Sequence, residues 1–187
     1  CSTRSDPAGA RSAGPVAGPT DAFSSARDPS PDVYSLNVTI PGAVAARASE
    51  VARALPDAEA RARRGHTLVA NRLGSRDAQA YYEREARARE VLAGTAPFAA
   101  RVDRVDCFET VPTGTAPVVY LAVESPGLRA LHERLCGTFD PVPDIEGADF
   151  VPHVTVARGG SLDAARAAGG PIDPIEWTVD DLVFYDA

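Results

Sequence analysis

The sequence predicts an α/β domain of two similar lobes, preceded by a disordered tail. Three observations carry this prediction. Strand-like and helix-like segments interleave from Val33 onward, a strand–helix–strand pattern occurs twice about half a chain apart, and residues 1–31 hold almost no large apolar group. That first stretch is rich in Ser, Pro, Gly and Ala. It cannot bury enough surface to offset the entropy of ordering, so residues 1–31 read as disordered and residues 32–187 as the folded domain. At 187 residues and 44% apolar content, the chain can build one core or two small lobes.

The elements follow in order. In VYSLNVTI, Tyr34, Leu36, Val38 and Ile40 alternate with Ser35, Asn37 and Thr39, the pattern of a half-buried strand. Pro41-Gly42 ends it. Val44, Ala48, Val51 and Leu55 then recur at helical spacing up to Pro56. HTLVANRL, at 66–73, reads as a second strand, and 76–93 as a helix with Tyr81, Ala88 and Leu92 near one stripe. Residues 98–111 alternate and predict a strand. A turn at Thr113-Gly114-Thr115 leads into the apolar run APVVYLAV at 116–123. Ser125-Pro126 places Pro early in a helix lined by Leu128, Leu131 and Leu135. After a Pro-rich loop come the strand FVPHVTVAR, a short helix at 161–168, and a closing strand, EWTVDDLVFYDA. The repeat pairs SLNVTI, helix 42–55 and HTL with VVYLAV, helix 126–136 and HVT.

Composition narrows the function. No apolar run is long enough to span a bilayer. A net charge of −7 disfavours sequence-independent binding to long nucleic acid, yet leaves room for a small phosphate held by a local cluster. Every cation is Arg. The three cysteines, Cys1, Cys107 and Cys136, form no disulfide framework and no C-x-x-C pair that would suggest zinc, and Cys107 and Cys136 read as buried small hydrophobes. The expected location is the cytoplasm and the expected state a monomer. An opening Cys before a Ser/Pro/Gly tail also resembles a mature bacterial lipoprotein terminus, so a lipid anchor through Cys1 is the alternative.

The chemistry-bearing stretch is DFVPHVTVARGG. Side chains two apart on a strand point the same way, roughly 6.5–7 Å apart. His153 and Thr155 therefore share one face, while Val154 and Val156 share the other. Alone, such a histidine reads as an ordinary hydrogen-bonded strand residue. Three features weigh against that. His153 follows a Pro-terminated loop, where functional strands often begin. A second histidine stands beside a threonine in the matching strand. Residues 61–76, RARRGHTLVANRLGSR, also hold five arginines and no acid. In an acidic chain that cluster suggests an anion site, with Arg64 and Arg72 as candidate phosphate contacts. His132, on its helix, reads as structural.

YSLNVTIPG, RGHTLVANRLG, VVYLAVESPGL and FVPHVTVARGG together resemble the 2H phosphoesterase superfamily, the LigT-like or 2′-5′ RNA ligase-like proteins. The resemblance covers roughly residues 33–187. It implies two pseudo-symmetric lobes whose antiparallel sheets form a concave cleft. It also implies one histidine from each lobe, His66 and His153, acting on a 2′,3′-cyclic phosphate without a metal or nucleotide cofactor. The implied ligand is an RNA end or a small cyclic nucleotide, and the reverse reaction would join 2′-5′ RNA ends. The physics suits that role. One neutral and one protonated imidazole can activate water and protonate the departing oxygen. The hydroxyls of Thr67 and Thr155 can donate to phosphate oxygens.

One departure matters. The family pattern is H-x-T then an apolar residue, which His153-Val154-Thr155-Val156 fits. The first motif runs His66-Thr67-Leu68. Either His66 faces the cleft with Leu68 and Thr67 points inward, or Thr67-Leu68 takes the family's Thr-Leu place, Gly65 stands where the histidine would be, and His66 turns away. A bulge at Gly65 would let His66 and Thr67 share the site. In the second case the chain is expected to bind phosphate or RNA ends with impaired catalysis.

Overall fold

The computed structural model describes residues 33–62, 66–75 and 78–186. The tail at 1–31 with Cys1, and Arg64 and Gly65 of the first motif, lie outside the described residues. In chain order the elements are β1 (Val33–Val38), α1 (Gly42–Ala52), β2 (Glu59–Ala60), β3 (Leu68–Ser75), α2 (Ala78–Leu92), β4 (Phe98–Phe108), β5 (Val118–Glu124), α3 (Pro126–Cys136), β6 (His153–Arg158), α4 (Leu162–Ala168), β7 (Gly170–Val179) and β8 (Leu182–Asp186). A 3-10 turn at Gly147–Asp149 precedes β6. Ser125 caps α3, accepting from the Leu128 N–H, with Pro126 in the first turn.

All pairings are antiparallel, and the strands form one sheet in the order β7-β4-β5-β6-β3-β1-β8, with β2 on the end of β6. The predicted repeat is visible in that order: β5, α3 and β6 on one side answer β1, α1 and β3 on the other. The halves meet at β3 and β6, through the single residue pair Leu68–Val154. The helices also tie them, since α1 packs on β6 and α3 on both β3 and β4. Val44, Ala48, Leu128, Leu131 and Leu135 meet Leu36, Val38, Leu121 and Val154 in one buried cluster.

The closing strand differs from the sequence expectation. EWTVDDLVFYDA is not one strand: β7 ends at Val179, β8 starts at Leu182, and they occupy opposite edges of the sheet. The alternation changes phase at Asp180-Asp181, from Trp177 and Val179 on odd positions to Leu182 and Phe184 on even ones, and that shift marks the break. Val179 and Leu182 can be at most about 10 Å apart, whereas six strand spacings across a flat sheet span about 29 Å. The sheet must therefore coil back on itself. That explains why Ser35, Asn37, Tyr120 and Ala122 are buried although they alternate with core residues and so point away from the helices. They line the inside of the coil. Pro171 and Pro174 sit in β7, an edge strand, where a missing N–H costs no ladder bond.

Candidate active site

The central pair sets the register. Leu68 and Val154 are both fully buried and face the core. One residue before Leu68 and one after Val154, alternation puts Thr67 and Thr155 on the inner face, both half-buried. His153 lies on that face too, half-buried, across from Ala122 of β5. Phe108 and Tyr120 stack on each other at 4.2 Å, and both rings meet the His153 imidazole edge-on at 5.2 and 5.3 Å.

His153 Nδ1 lies 2.8 Å from the Val151 carbonyl oxygen. A carbonyl only accepts, so Nδ1 carries the proton and Nε2 keeps its lone pair. Burial pushes the His153 pKa below its ordinary value. The bond to Val151 opposes that shift, while the positive charges of Arg72 and Arg158 add to it. A neutral imidazole with a bare Nε2 is a proton acceptor. Tyr120 moves the other way: burial, then the charge of Asp106, raises its phenol to about 12. It stays protonated and can donate.

The two arginines reach this face through irregularities. Each stands four residues after one member of the Leu68–Val154 pair, so strict alternation would send both into the core. In β3 the register runs Asn37–Val69 and then Leu36–Asn71, leaving Ala70 unmatched. In β6 it runs Tyr120–Thr155 and then Val119–Ala157, leaving Val156 unmatched. Each bulge turns the following residue over. Arg72 thus lies across from Ser35, and Arg158 across from Val118, on the inner face. Sequence reasoning found Arg72 by its charge cluster and missed Arg158, whose only signal is its nearness to His153 along the chain. Arg72 is not an isolated charge: its Nη1 and its main-chain N–H both bond Glu146.

His66 is placed differently. Alternation from Leu68 through Thr67 puts His66 on the core side. His66 is 6% exposed, and its Nδ1 lies 3.0 Å from the Thr155 carbonyl oxygen. Its Nδ1–H therefore satisfies the edge of β6 where the β3 ladder has stopped. Its Nε2 has no partner among the described residues. In sequence, His66 precedes Thr67 as Val154 precedes Thr155. The structure thus brings Thr67, Arg72, His153 and Thr155 to one face and sets His66 against the strand edge.

His132 is structural, as its context suggested. It is 1% exposed, donates from Nδ1 to the Ala70 carbonyl at 2.8 Å, accepts at Nε2 from the Gly147 N–H at 2.9 Å, and stacks on Phe150 at 3.7 Å. Cys107 and Cys136 are free thiols, and burial raises both pKa values. Among the described residues no group of three or more His, Cys, Asp or Glu is placed to hold a metal, and no helix is long and apolar enough to cross a membrane.

Residues 40–187 match the 2′-5′ RNA ligase superfamily. The fold is similar to that of TT0787 of Thermus thermophilus (TM-score 0.56, 22% identity, covering 81% of this chain and 86% of that one). It is also similar to E. coli LigT complexed with NADP+ (0.58, 18%, 83% and 87%) and to a protein described as a phosphoesterase (0.57, 19%, 83% and 88%). No curated protein matches the chain in sequence.

Proposed function

Because the chain belongs to the 2′-5′ RNA ligase superfamily, we propose that it is a phosphodiesterase opening 2′,3′-cyclic phosphates on RNA ends or small nucleotides, with His153 as the proton acceptor. The observation that carries the reading is the bare Nε2 of His153, on the same face as Thr155, Arg72 and Arg158. That LigT is described in complex with NADP+ and with ATP supports a small nucleotide as ligand.

In the proposed reaction, water attacks phosphorus and its proton passes to His153 Nε2. The ring P–O bond to one ribose oxygen then breaks, leaving a phosphate monoester. Thr67 and Thr155 donate to the non-bridging oxygens, and the arginines stabilise the charge that builds there. In the paired scheme His66 protonates the departing oxygen. His66, like His153, bonds a carbonyl through Nδ1 and leaves Nε2 unpartnered among the described residues, but it is buried on the core side, so we read it as a support of the strand edge and assign that proton to solvent. With a 5′-hydroxyl in place of water as the attacking group and the 3′ oxygen departing, the same ring opening would leave a 2′-5′ phosphodiester and so join two ends.

The test is turnover of a 2′,3′-cyclic nucleotide with and without EDTA. Turnover that survives the chelator and disappears in His153→Ala supports the reading; undiminished turnover in that variant refutes it. A second reading, a binder of phosphate or RNA ends without turnover, rests on the placement of His66. Tight binding of a nucleoside 2′-monophosphate with no turnover would establish it.

A further inference from the structure

Beyond Leu68 the two central strands part, and β3 loses its strand neighbour on that side. Side chains take over. His132 donates to the Ala70 carbonyl, and Glu146 accepts the Arg72 main-chain N–H at 2.7 Å. The Glu146 side chain is fully buried. A carboxylate in that position is costly unless its oxygens are satisfied. Oε1 takes both the Arg72 N–H and, at 3.3 Å, Arg72 Nη1, while Oε2 takes the Val142 N–H at 3.0 Å. Its neighbour Gly147 donates to His132, which fixes the loop to α3. One carboxylate thus grips both the main chain and the guanidinium of Arg72, and does so from the loop that leads into His153.

We infer that Glu146 is a positioning residue: it holds the Arg72 guanidinium beside His153 so that its remaining N–H groups meet the phosphate. The inference rests on the phosphodiester reading above. The competing role is screening, in which the carboxylate only cancels part of the Arg72 charge and weakens anion binding. Burial argues for positioning. The carboxylate cannot turn toward a ligand, and fixing a long side chain in advance removes an ordering cost worth about tenfold in affinity.

Two variants separate the roles. Glu146→Asp keeps the charge and shortens the reach; Glu146→Gln keeps the reach and removes the charge. Positioning predicts that both raise KM for a 2′,3′-cyclic nucleotide about tenfold with kcat within about threefold. It also predicts that Arg72→Ala combined with either adds nothing further, because both act through one group. The Kd of a nucleoside 2′-monophosphate should follow the same pattern. An aspartate variant indistinguishable from the parent, a glutamine variant with lowered KM, or additive losses with Arg72→Ala would overturn it. If Arg72→Ala and His153→Ala leave turnover and binding unchanged, the phosphodiester reading itself has failed. If they matter and Glu146 does not, only this inference falls.

Discussion

The half built on β4, β5 and β6 and the half built on β8, β1 and β3 share a plan but not a chemistry. The first presents His153, Thr155 and Arg158, with Tyr120 and Phe108 behind the imidazole. The second presents Thr67 and Arg72, with Ser35 and Asn37 enclosed beside them. On the proposed reading only the first half holds the proton acceptor, while each half contributes one arginine and one threonine. The difference turns on one position in the matching motifs: both halves of the repeat need their strands to fill the same core, while inner-face residues are free to differ.

The largest break in this comparison is His153→Ala. Removing the proton acceptor should lower turnover by about 10²–10⁴-fold, read as kcat on a cyclic nucleotide, with circular dichroism showing the fold intact. The same asymmetry fixes the pH profile. His153 must be neutral to accept a proton, and its pKa lies below the ordinary 6.5. Activity should therefore be level near pH 7 and fall as pH drops through that lowered value, giving a single acid limb. A bell with a second limb assigned to His66 would restore the two-histidine symmetry.

Next comes Arg72→Ala. Loss of a charge-assisted contact should raise KM by about 10–100-fold, while Arg72→Lys recovers only part because the bidentate fork is gone. Thr67→Ala and Thr155→Ala should each cost about tenfold or less in kcat/KM. Near-equal losses would show that the hydroxyls, unlike the histidines, are shared evenly.

His66→Ala should have the smallest effect on chemistry. We expect kcat within about threefold of the parent, and a stability loss of about 1–3 kcal/mol from the Thr155 carbonyl left without its donor, read by urea unfolding. A collapse of kcat with stability kept would place His66 in the reaction.

Much of the fold was legible in the sequence. Tyr34, Leu36 and Val38 announced β1 by alternation, and Ser125-Pro126 marked the start of α3, because both signals are local. In the closing segment the phase shift at Asp180-Asp181 was legible as a break, but nothing local says that the two strands it separates lie on opposite edges. For the site, the pairing of His153 with Thr155 followed from spacing alone. Arg158 did not, and the charge of Arg72 was readable while its direction was not.

By itself, then, the sequence determined which residues can be apolar neighbours along one strand or helix, where charge gathers, and that His153 stands with Thr155. Only the tertiary structure decided what lies across a strand. The unmatched Ala70 and Val156 turned two arginines inward, the Leu68–Val154 pair set His66 against a strand edge, and Glu146 found Arg72 from 74 residues away. Periodicity reports each residue's neighbours along the chain. Register depends on a partner strand, and no single segment contains that information.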